Sequence, residues 1–276
     1  CKNIVVATGF YDKPVLMNIP GEELPKVRHY YDDPHRYIHQ KVVIIGASSG
    51  IDLAIAEKLL SLGAKVVLSH ASQEKLAAAV ALISGEIEAK TVNFLEEDSV
   101  NAFFAEIGNF DHLVVTSLGD RNMPRALLTE MTTETARGGM EKFWATFLAV
   151  RGSLKTLAKN GSITLTSSVT IFKYSKMGGI SVIAAANSAV AVFGRALALE
   201  IAPIRVNVVA PGLIEDTSIW SSQSDSERSD LSKWAVSALP VEHLGQPEEV
   251  ALAVLSLIIN PYMTGVVLPV DGGVIL

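Results

Sequence analysis

Apolar and polar positions follow two regular patterns after residue 40. Short apolar runs of strand length recur, and most of the segments between them carry apolar residues three and four positions apart, which is typical of helices. The predicted strands are 41–45, 65–69, 90–94, 112–116, 162–167, 205–209 and 266–270. The predicted helices are 50–62, 73–84, 97–107, 140–158, 181–200 and 247–259.

This alternation of strands and helices predicts a parallel sheet with helices on both faces. The strand runs are apolar throughout, as expected for strands that are buried on both sides. We therefore predict a doubly wound, Rossmann-type α/β fold in three layers with about seven strands. The polar stretch 221–232 is predicted to be a mobile surface loop that could act as a lid.

The first forty residues have a different character. They contain Pro14, Pro20, Pro25 and Pro34, which interrupt any long element, and only 3–7 is a plausible strand. We predict an N-terminal extension over 1–40 and one Rossmann-type domain over 41–276. The histidines in the extension do not have the spacing of ligands on a regular element, so no metal site is predicted.

Composition narrows the function. With 49% hydrophobic residues, 19% charged residues and a net charge of −6, the chain should be a soluble globule without affinity for nucleic acid. Its single cysteine, Cys1, excludes an internal disulfide framework and fits a cytoplasmic location. The longest apolar stretch, 180–202, is interrupted by Asn187, Arg195 and Glu200, which favours a buried helix over a membrane span.

The first predicted strand leads into a glycine-containing turn and then directly into a helix. Gly46 permits a tight turn, Ser48 and Ser49 offer donors, and Gly50 lets an anion approach the helix that begins near Ile51. Free N–H groups and the helix dipole favour a diphosphate at such a position. An ordinary strand–turn–helix without a ligand is the alternative.

Here the chain resembles the short-chain dehydrogenase/reductase family, whose pattern is Gly-x-x-x-Gly-x-Gly. Gly46 and Gly50 fill the first two glycines, whereas the third falls on Asp52. A carboxylate about 5 Å from a phosphate, at an effective dielectric constant near 20, would be repelled by on the order of 3 kcal/mol unless Asp52 points away.

Further positions carry the same resemblance from Lys41 to residue 276. Asn93-Phe94 resembles the pair that frames the adenine, Thr116-Ser117 falls on the motif after the fourth strand, and 205–212 matches the sixth strand with its Pro-Gly turn. Residues 264–265 and 271–273 match the C-terminal signature. The resemblance implies cofactor contacts at Gly46, Ser48, Ser49, Gly50, Ile51, Asn93, Phe94, Thr116, Ser117, Pro211 and Gly212.

The end of the second strand bears on the choice of nicotinamide cofactor. No acid is present there to hold the ribose 2′-hydroxyl of NAD, and Ala71 stands where family members often carry arginine. Ser69, His70 and Ser72 could hold a 2′-phosphate by hydrogen bonds, which favours NADP over NAD. For His70, a solvent-facing loop histidine is the alternative.

The catalytic positions depart from the family. Its tyrosine falls on Ile183 and its lysine on Asn187, so the usual proton donor is missing. Thr170 lies thirteen residues before Ile183, the usual spacing for the family's serine, and Ser168 lies just upstream. Lys142 falls where the family has a relay asparagine, and a buried lysine could act as a general acid. A helix-surface lysine, or one that binds a phosphate or a carbonyl, is the alternative.

The resemblance implies an NAD(P)-dependent oxidoreductase that acts on a small carbonyl or alcohol, with non-standard or impaired proton transfer. The alternatives are an inactive dinucleotide-binding or sensing protein, and a hybrid of two families without activity. The apolar helices 140–158 and 181–200 are those with which the family dimerises, which implies a homodimer or homotetramer.

Residues 1–46 resemble a second family, the bacillithiol-disulfide reductase type of flavoprotein. The resemblance rests on Ala7-Thr8-Gly9, Pro20-Gly21 and His29-Tyr30-Tyr31. Because the nucleotide-binding start of an FAD domain is absent, no FAD is expected. Recombination, a gene-model artefact and deliberate engineering would each join two families at a shared strand; a native extension is the alternative.

Overall fold

The computed structural model describes residues 40–46, 50–116, 126–176, 178–215 and 224–276. Residues 1–39, which hold the predicted N-terminal strand and most of the flavoprotein-like segment, lie outside these ranges.

Strands and helices alternate along the described chain. The strands are β1 (Lys41–Ile45), β2 (Lys65–His70), β3 (Ile87–Thr91), β4 (Phe110–Val115), β5 (Leu157–Thr166), β6 (Arg205–Pro211) and β7 (Val267–Val270). The helices are α1 (Ile51–Ser61), α2 (Gln73–Leu82), α3 (Glu97–Ile107), α4 (Thr133–Gly138), α5 (Glu141–Ser153), α6 (Ile180–Glu200), α7 (Asp225–Ala238) and α8 (Pro247–Ile259). A 3₁₀ turn over Val169–Ile171 connects β5 with α6.

The strands form one seven-stranded parallel sheet in the order β3-β2-β1-β4-β5-β6-β7. After β3 the chain returns to the other side of β1, so the order of the strands reverses between β1 and β4. This confirms the doubly wound, three-layer α/β fold. It also defines the crevice at the carboxyl ends of β1 and β4, where such sheets bind ligands.

Two apolar cores cover the two faces of the sheet. Val43 and Ile45 of β1 belong to the core that contains residues of α3, α5 and α6. Val42 and Ile44 belong to the opposite core, with residues of α1 and α8. The alternation of side chains along a strand produces this division, and it explains why β1 is apolar at every position.

The bounds of β3 and α5 differ from the predicted ones. The edge strand β3 lies three residues earlier than predicted. Its sequence, Ile-Glu-Ala-Lys-Thr, is partly exposed and lacks the continuous apolar run on which the prediction relied. The apolar residues Val92 and Phe94, which suggested a strand, are buried beyond its end. Helix α5 ends at Ser153 rather than Ala158, because β5 already begins at Leu157.

The prediction of a surface loop over 221–232 is wrong from Asp225 onward, where α7 begins. Leu231, Ala235 and Leu239 recur every fourth residue and pack in a small core with Leu244. This apolar stripe stabilises a helix in which most of the other positions are polar. Residues 221–223 lie outside the described ranges.

Helix α6 is buried against the sheet. By length and hydropathy alone it is the one helix in the described residues that could cross a membrane, and half of that apolar window is buried. At Gly194 an added Cβ would lie only 2.6 Å from Cγ2 of Val208 in β6. This close approach supports the predicted core helix.

His112 lies on β4, on the side of the sheet away from the carboxyl ends of the strands. Its ring is 5% exposed, with Nδ1 at 2.9 Å from the Ser162 hydroxyl and Nε2 at 3.3 Å from Oε1 of Gln40. Since the amide oxygen only accepts, Nε2 carries the proton and Nδ1 accepts from Ser162. The pKa of His112 is lowered to about 4, chiefly by burial; the charge of Asp111 opposes this shift, and the charge of Arg205 adds a smaller lowering effect.

Candidate functional site

Backbone geometry at the crevice depends on two glycines and on Thr116. Gly46, with φ of 102°, follows β1, and Gly50, with φ of 58°, is the N-cap of α1. Both values disfavour any residue with a side chain. Across the crevice, the hydroxyl and the N–H of Thr116 donate to the carbonyl of Ile45 at 2.7 and 3.0 Å. Thr116 therefore joins the ends of β4 and β1.

The first turn of α1 faces this crevice, with Ile51 as its first residue. The residues between the two glycines, which include Ser48 and Ser49, and also Ser117, lie outside the described ranges. Asp52 is 5% exposed in the first turn of α1 and has a polar partner. Asp52 thus places a buried carboxylate in the first turn of the helix whose terminus a diphosphate would use.

The three predicted phosphate-binding residues at the end of β2 are not equivalent. Ser69 is fully buried, and its hydroxyl donates to the carbonyl of Ile44 at 3.3 Å. Nδ1 of the half-buried His70 accepts from the N–H of Ser72 at 2.8 Å, which places the proton on Nε2. Ser72 is the N-cap of α2, and its hydroxyl accepts from the N–H of Lys75. His70 and Ser72 are therefore accessible at the end of β2, whereas Ser69 is buried in the sheet.

Two further predicted contacts lie at the rim of the crevice. The Phe94 ring is buried and packs edge-on against Phe103, while Asn93 is exposed. Gly212 follows Pro211 at the end of β6, and its N–H donates to the carbonyl of Val270 at 2.9 Å. A Cβ at Gly212 would lie 2.8 Å from Cα of Asp271, which leaves room for glycine alone.

Two of the three predicted catalytic residues, Lys142 and Thr170, meet at one amide, that of Asn187. Nζ of Lys142 donates to Oδ1 of Asn187 at 2.7 Å, and Nδ2 of Asn187 donates to Oγ1 of Thr170 at 3.4 Å. Lys142 lies in the first turn of α5, Thr170 in the 3₁₀ turn and Asn187 on α6. The packing of α6 against α5 and the 3₁₀ turn thus brings together residues up to 45 positions apart in sequence.

The other residues around this amide have distinct positions. Ser168 begins the 3₁₀ turn, and its hydroxyl accepts from the N–H of Thr170 at 3.3 Å. Ile183, 7% exposed, lies one turn before Asn187 on the same face of α6. The tyrosines of the described residues, Tyr174 and Tyr262, are 71% and 98% exposed. In the described residues, therefore, no phenol replaces the missing one beside Ile183.

The sequence alone did not identify Asn187 as a member of the site. In the sequence it is only the residue that stands in place of the family's lysine. The available signal was its spacing of four residues from Ile183, which puts both on one helix face. That spacing does not reveal Lys142 as the partner, because the contact depends on how α5 packs against α6.

Comparisons with known proteins agree with this fold. The family model described as enoyl-(acyl carrier protein) reductase matches residues 46–275. Carbonyl reductase family member 4 of Xenopus laevis is 32% identical over 237 residues, which are 83% of this chain and 95% of that protein.

Two solved structures have the same fold. A small-chain dehydrogenase in complex with NADPH is 30% identical with a TM-score of 0.70, over 86% of this chain and 99% of that one. The NADPH-bound short chain oxidoreductase of Pseudomonas aeruginosa PAO1, which contains an atypical catalytic center, is 26% identical with a TM-score of 0.75, over 86% and 98% of the two chains. The chain belongs to the short-chain dehydrogenase/reductase family of NAD(P)-dependent oxidoreductases.

Proposed function

We propose that the protein is an NADP(H)-dependent oxidoreductase of a small carbonyl or alcohol, in which Lys142 replaces the missing tyrosine as proton donor. The observation that carries this proposal is the 2.7 Å hydrogen bond from Lys142 to Asn187, one helical turn from Ile183. It brings an ionisable proton donor next to the position from which the family's phenol is missing.

The residues at the carboxyl ends of the strands fit a dinucleotide. Gly46 and Gly50 leave space at the α1 terminus, and Nε2–H of His70 and the N-cap region of α2 offer donors for a 2′-phosphate. The two NADPH-bound relatives support NADP as the cofactor. When bound, NADPH supplies a hydride to a carbonyl carbon.

The chain's own residues then act on the carbonyl oxygen. The hydroxyls of Ser168 and Thr170 hold this oxygen by hydrogen bonds, and the ammonium of Lys142 gives up one proton to it. The resulting neutral amine regains a proton from water. General acids of this kind contribute about 10² to 10⁴ in rate.

The test combines cofactor binding with turnover. We expect NADPH to raise the melting temperature more than NADH, and NADPH to be oxidised with at least one member of a panel of small aldehydes and ketones. Binding without any turnover would favour the sensing protein over the enzyme. The absence of both would favour the inactive hybrid.

Asp52 should weaken cofactor binding through its charge. Asp52→Asn keeps the side chain's shape and removes the charge, so we expect the Kd for NADPH to fall about tenfold. Because Asp52 is buried and has a partner, part of its repulsion is already compensated, and the gain should be smaller than for an unpaired carboxylate.

Fluorescence titration of NADPH measures this change, and Glu57→Gln on the exposed side of α1 is the control for loss of one negative charge. An unchanged Kd in Asp52→Asn would mean that the carboxylate does not face the diphosphate.

We also propose that the protein is a homodimer or homotetramer in the cytoplasm. We further propose that each chain consists of a 1–40 extension and a 41–276 domain. Exposed apolar side chains on α5 and α6, namely Trp144 at 54%, Val192 at 65% and Leu199 at 85%, support self-association. Sedimentation at micromolar concentration should show a dimer or tetramer. A monomer would contradict the proposal.

A further inference from the structure

Asn187 is buried, with 3% of its surface exposed, yet every polar atom of its side chain has a partner. Its Oδ1 accepts from Lys142 at 2.7 Å, and its Nδ2 donates to the carbonyl of Ile183 at 3.0 Å and, at a longer 3.4 Å, to Thr170. The amide therefore contacts the proposed proton donor and one of the proposed carbonyl-binding hydroxyls.

These partners allow only one orientation of the amide. An ammonium only donates, and a backbone carbonyl only accepts. A flipped amide would place Nδ2 against the Lys142 ammonium and Oδ1 against the Ile183 carbonyl, which would lose both bonds. The backbone of Asn187 is held as well, because its carbonyl accepts from the Ser167 hydroxyl at 2.9 Å.

The fixed amide also gives the Thr170 hydroxyl a direction. Since Oγ1 of Thr170 accepts from Nδ2, the O–H proton of Thr170 points elsewhere and can be donated to a carbonyl oxygen. Lys142 and Thr170 thus contact opposite ends of one rigid group.

We propose that Asn187 is a positioning residue, which holds the Lys142 ammonium and the Thr170 hydroxyl at a fixed separation in the crevice. This inference rests on the proposed function. No proton passes through the amide; Asn187 acts through the two groups that it holds.

Charged groups of the described residues lie on α5 and on the elements that pack against it, among them Glu97 and Asp98 of α3. Glu141 precedes Lys142 on α5, and Arg195 lies eight residues beyond Asn187 on α6, about 12 Å along the helix axis. Lys173 and Lys176 follow the 3₁₀ turn and are exposed. The side chain at position 187 contacts Nζ of Lys142 at 2.7 Å, so a change of charge there should act on Lys142 directly.

Two substitutions separate positioning from packing. In Asn187→Asp a carboxylate stands next to the ammonium, so we expect the pKa of Lys142 to rise by about one unit or more. Since carbonyl reduction needs the ammonium, the alkaline fall of kcat should move to higher pH by the same amount. In Asn187→Leu, kcat should fall about tenfold or more while KM for NADPH stays within about twofold.

The matched control is Asn207→Leu. Asn207 is a similarly buried asparagine on β6, and within the described ranges its amide bonds backbone groups, those of Met263 and Val266. We expect this variant to lose stability but to keep the pH profile of kcat.

The titration of Lys142 is read directly by ¹³C NMR of its Cε, assigned with Lys142→Met, so it does not depend on turnover. An unchanged titration in Asn187→Asp, or an unchanged kcat in Asn187→Leu, would overturn the inference. If the unmodified protein shows no turnover but Asn187→Asp shifts the titration, the proposed function fails while the positioning of Lys142 stands.

Discussion

Replacing Lys142 with methionine should lower kcat for carbonyl reduction by about a thousandfold, with little change in KM for NADPH. Methionine has a similar length and is a good helix former, so α5 should keep its position. What is lost is the proton that the carbonyl oxygen takes up, and general acids contribute about 10² to 10⁴ in rate. Steady-state oxidation of NADPH at 340 nm measures the effect.

Lys142→Arg distinguishes proton donation from electrostatic stabilisation. A guanidinium keeps the positive charge and can still donate to Oδ1 of Asn187, but it does not release its proton near neutral pH. If Lys142 is the acid, the arginine variant should be nearly as slow as the methionine variant. A rate close to that of the unmodified protein would reduce Lys142 to a source of positive charge. If Lys142→Met kept more than a tenth of the kcat of the unmodified protein, Lys142 would be neither the proton donor nor the source of electrostatic stabilisation.

Acidification should destabilise the protein through His112. Its pKa is about 4 in the folded state and close to 6.5 in the unfolded chain. Between these values the unfolded chain binds a proton that the folded protein does not, so the free energy of unfolding falls as the pH falls from about 6.5 to 4. The stabilisation is complete above pH 6.5, and its loss over the interval is roughly 3 kcal/mol.

Urea unfolding at several pH values tests this, with His112→Gln as the variant that cannot titrate. The carboxylates contribute equally to both proteins, so the difference in free energy of unfolding should shrink as the pH falls. His243→Asn, at an exposed histidine on the loop before α8, should follow the unmodified protein throughout. If His112→Gln showed the same pH dependence as the unmodified protein, protonation of His112 would not destabilise the fold.

Local patterns predicted most of the fold. The bounds of β1, α3 and α8 agree with the structure because each combines an unbroken apolar pattern with a clear start signal, such as Pro247 in the first turn of α8. Helix α7 was missed because its polar residues conceal the stripe of Leu231, Ala235 and Leu239. That stripe can be recognised as a buried face only in the folded protein, where Leu244 packs against it.

The candidate site was predictable only as separate parts. Each of Lys142, Thr170 and Ser168 was found by its position relative to a family pattern. Their connection through Asn187 was not, since it depends on the angle and distance at which two helices pack. The Ser69 hydroxyl is turned into the sheet for a comparable reason, because the sequence does not show which face of β2 it occupies.

The position of the site also depends on Gly194, a residue without a side chain. Gly194 lies two turns beyond Asn187 on α6, where the helix backbone comes close to Val208 and Leu165 of the sheet. A methyl group there would push the helix outward, and a rigid helix transmits such a displacement along its length. The accuracy with which Asn187 meets Lys142 is therefore set partly at a residue about 10 Å away that contacts neither of them. A substitution at position 194 would change the spacing of the groups in the crevice without replacing any of them.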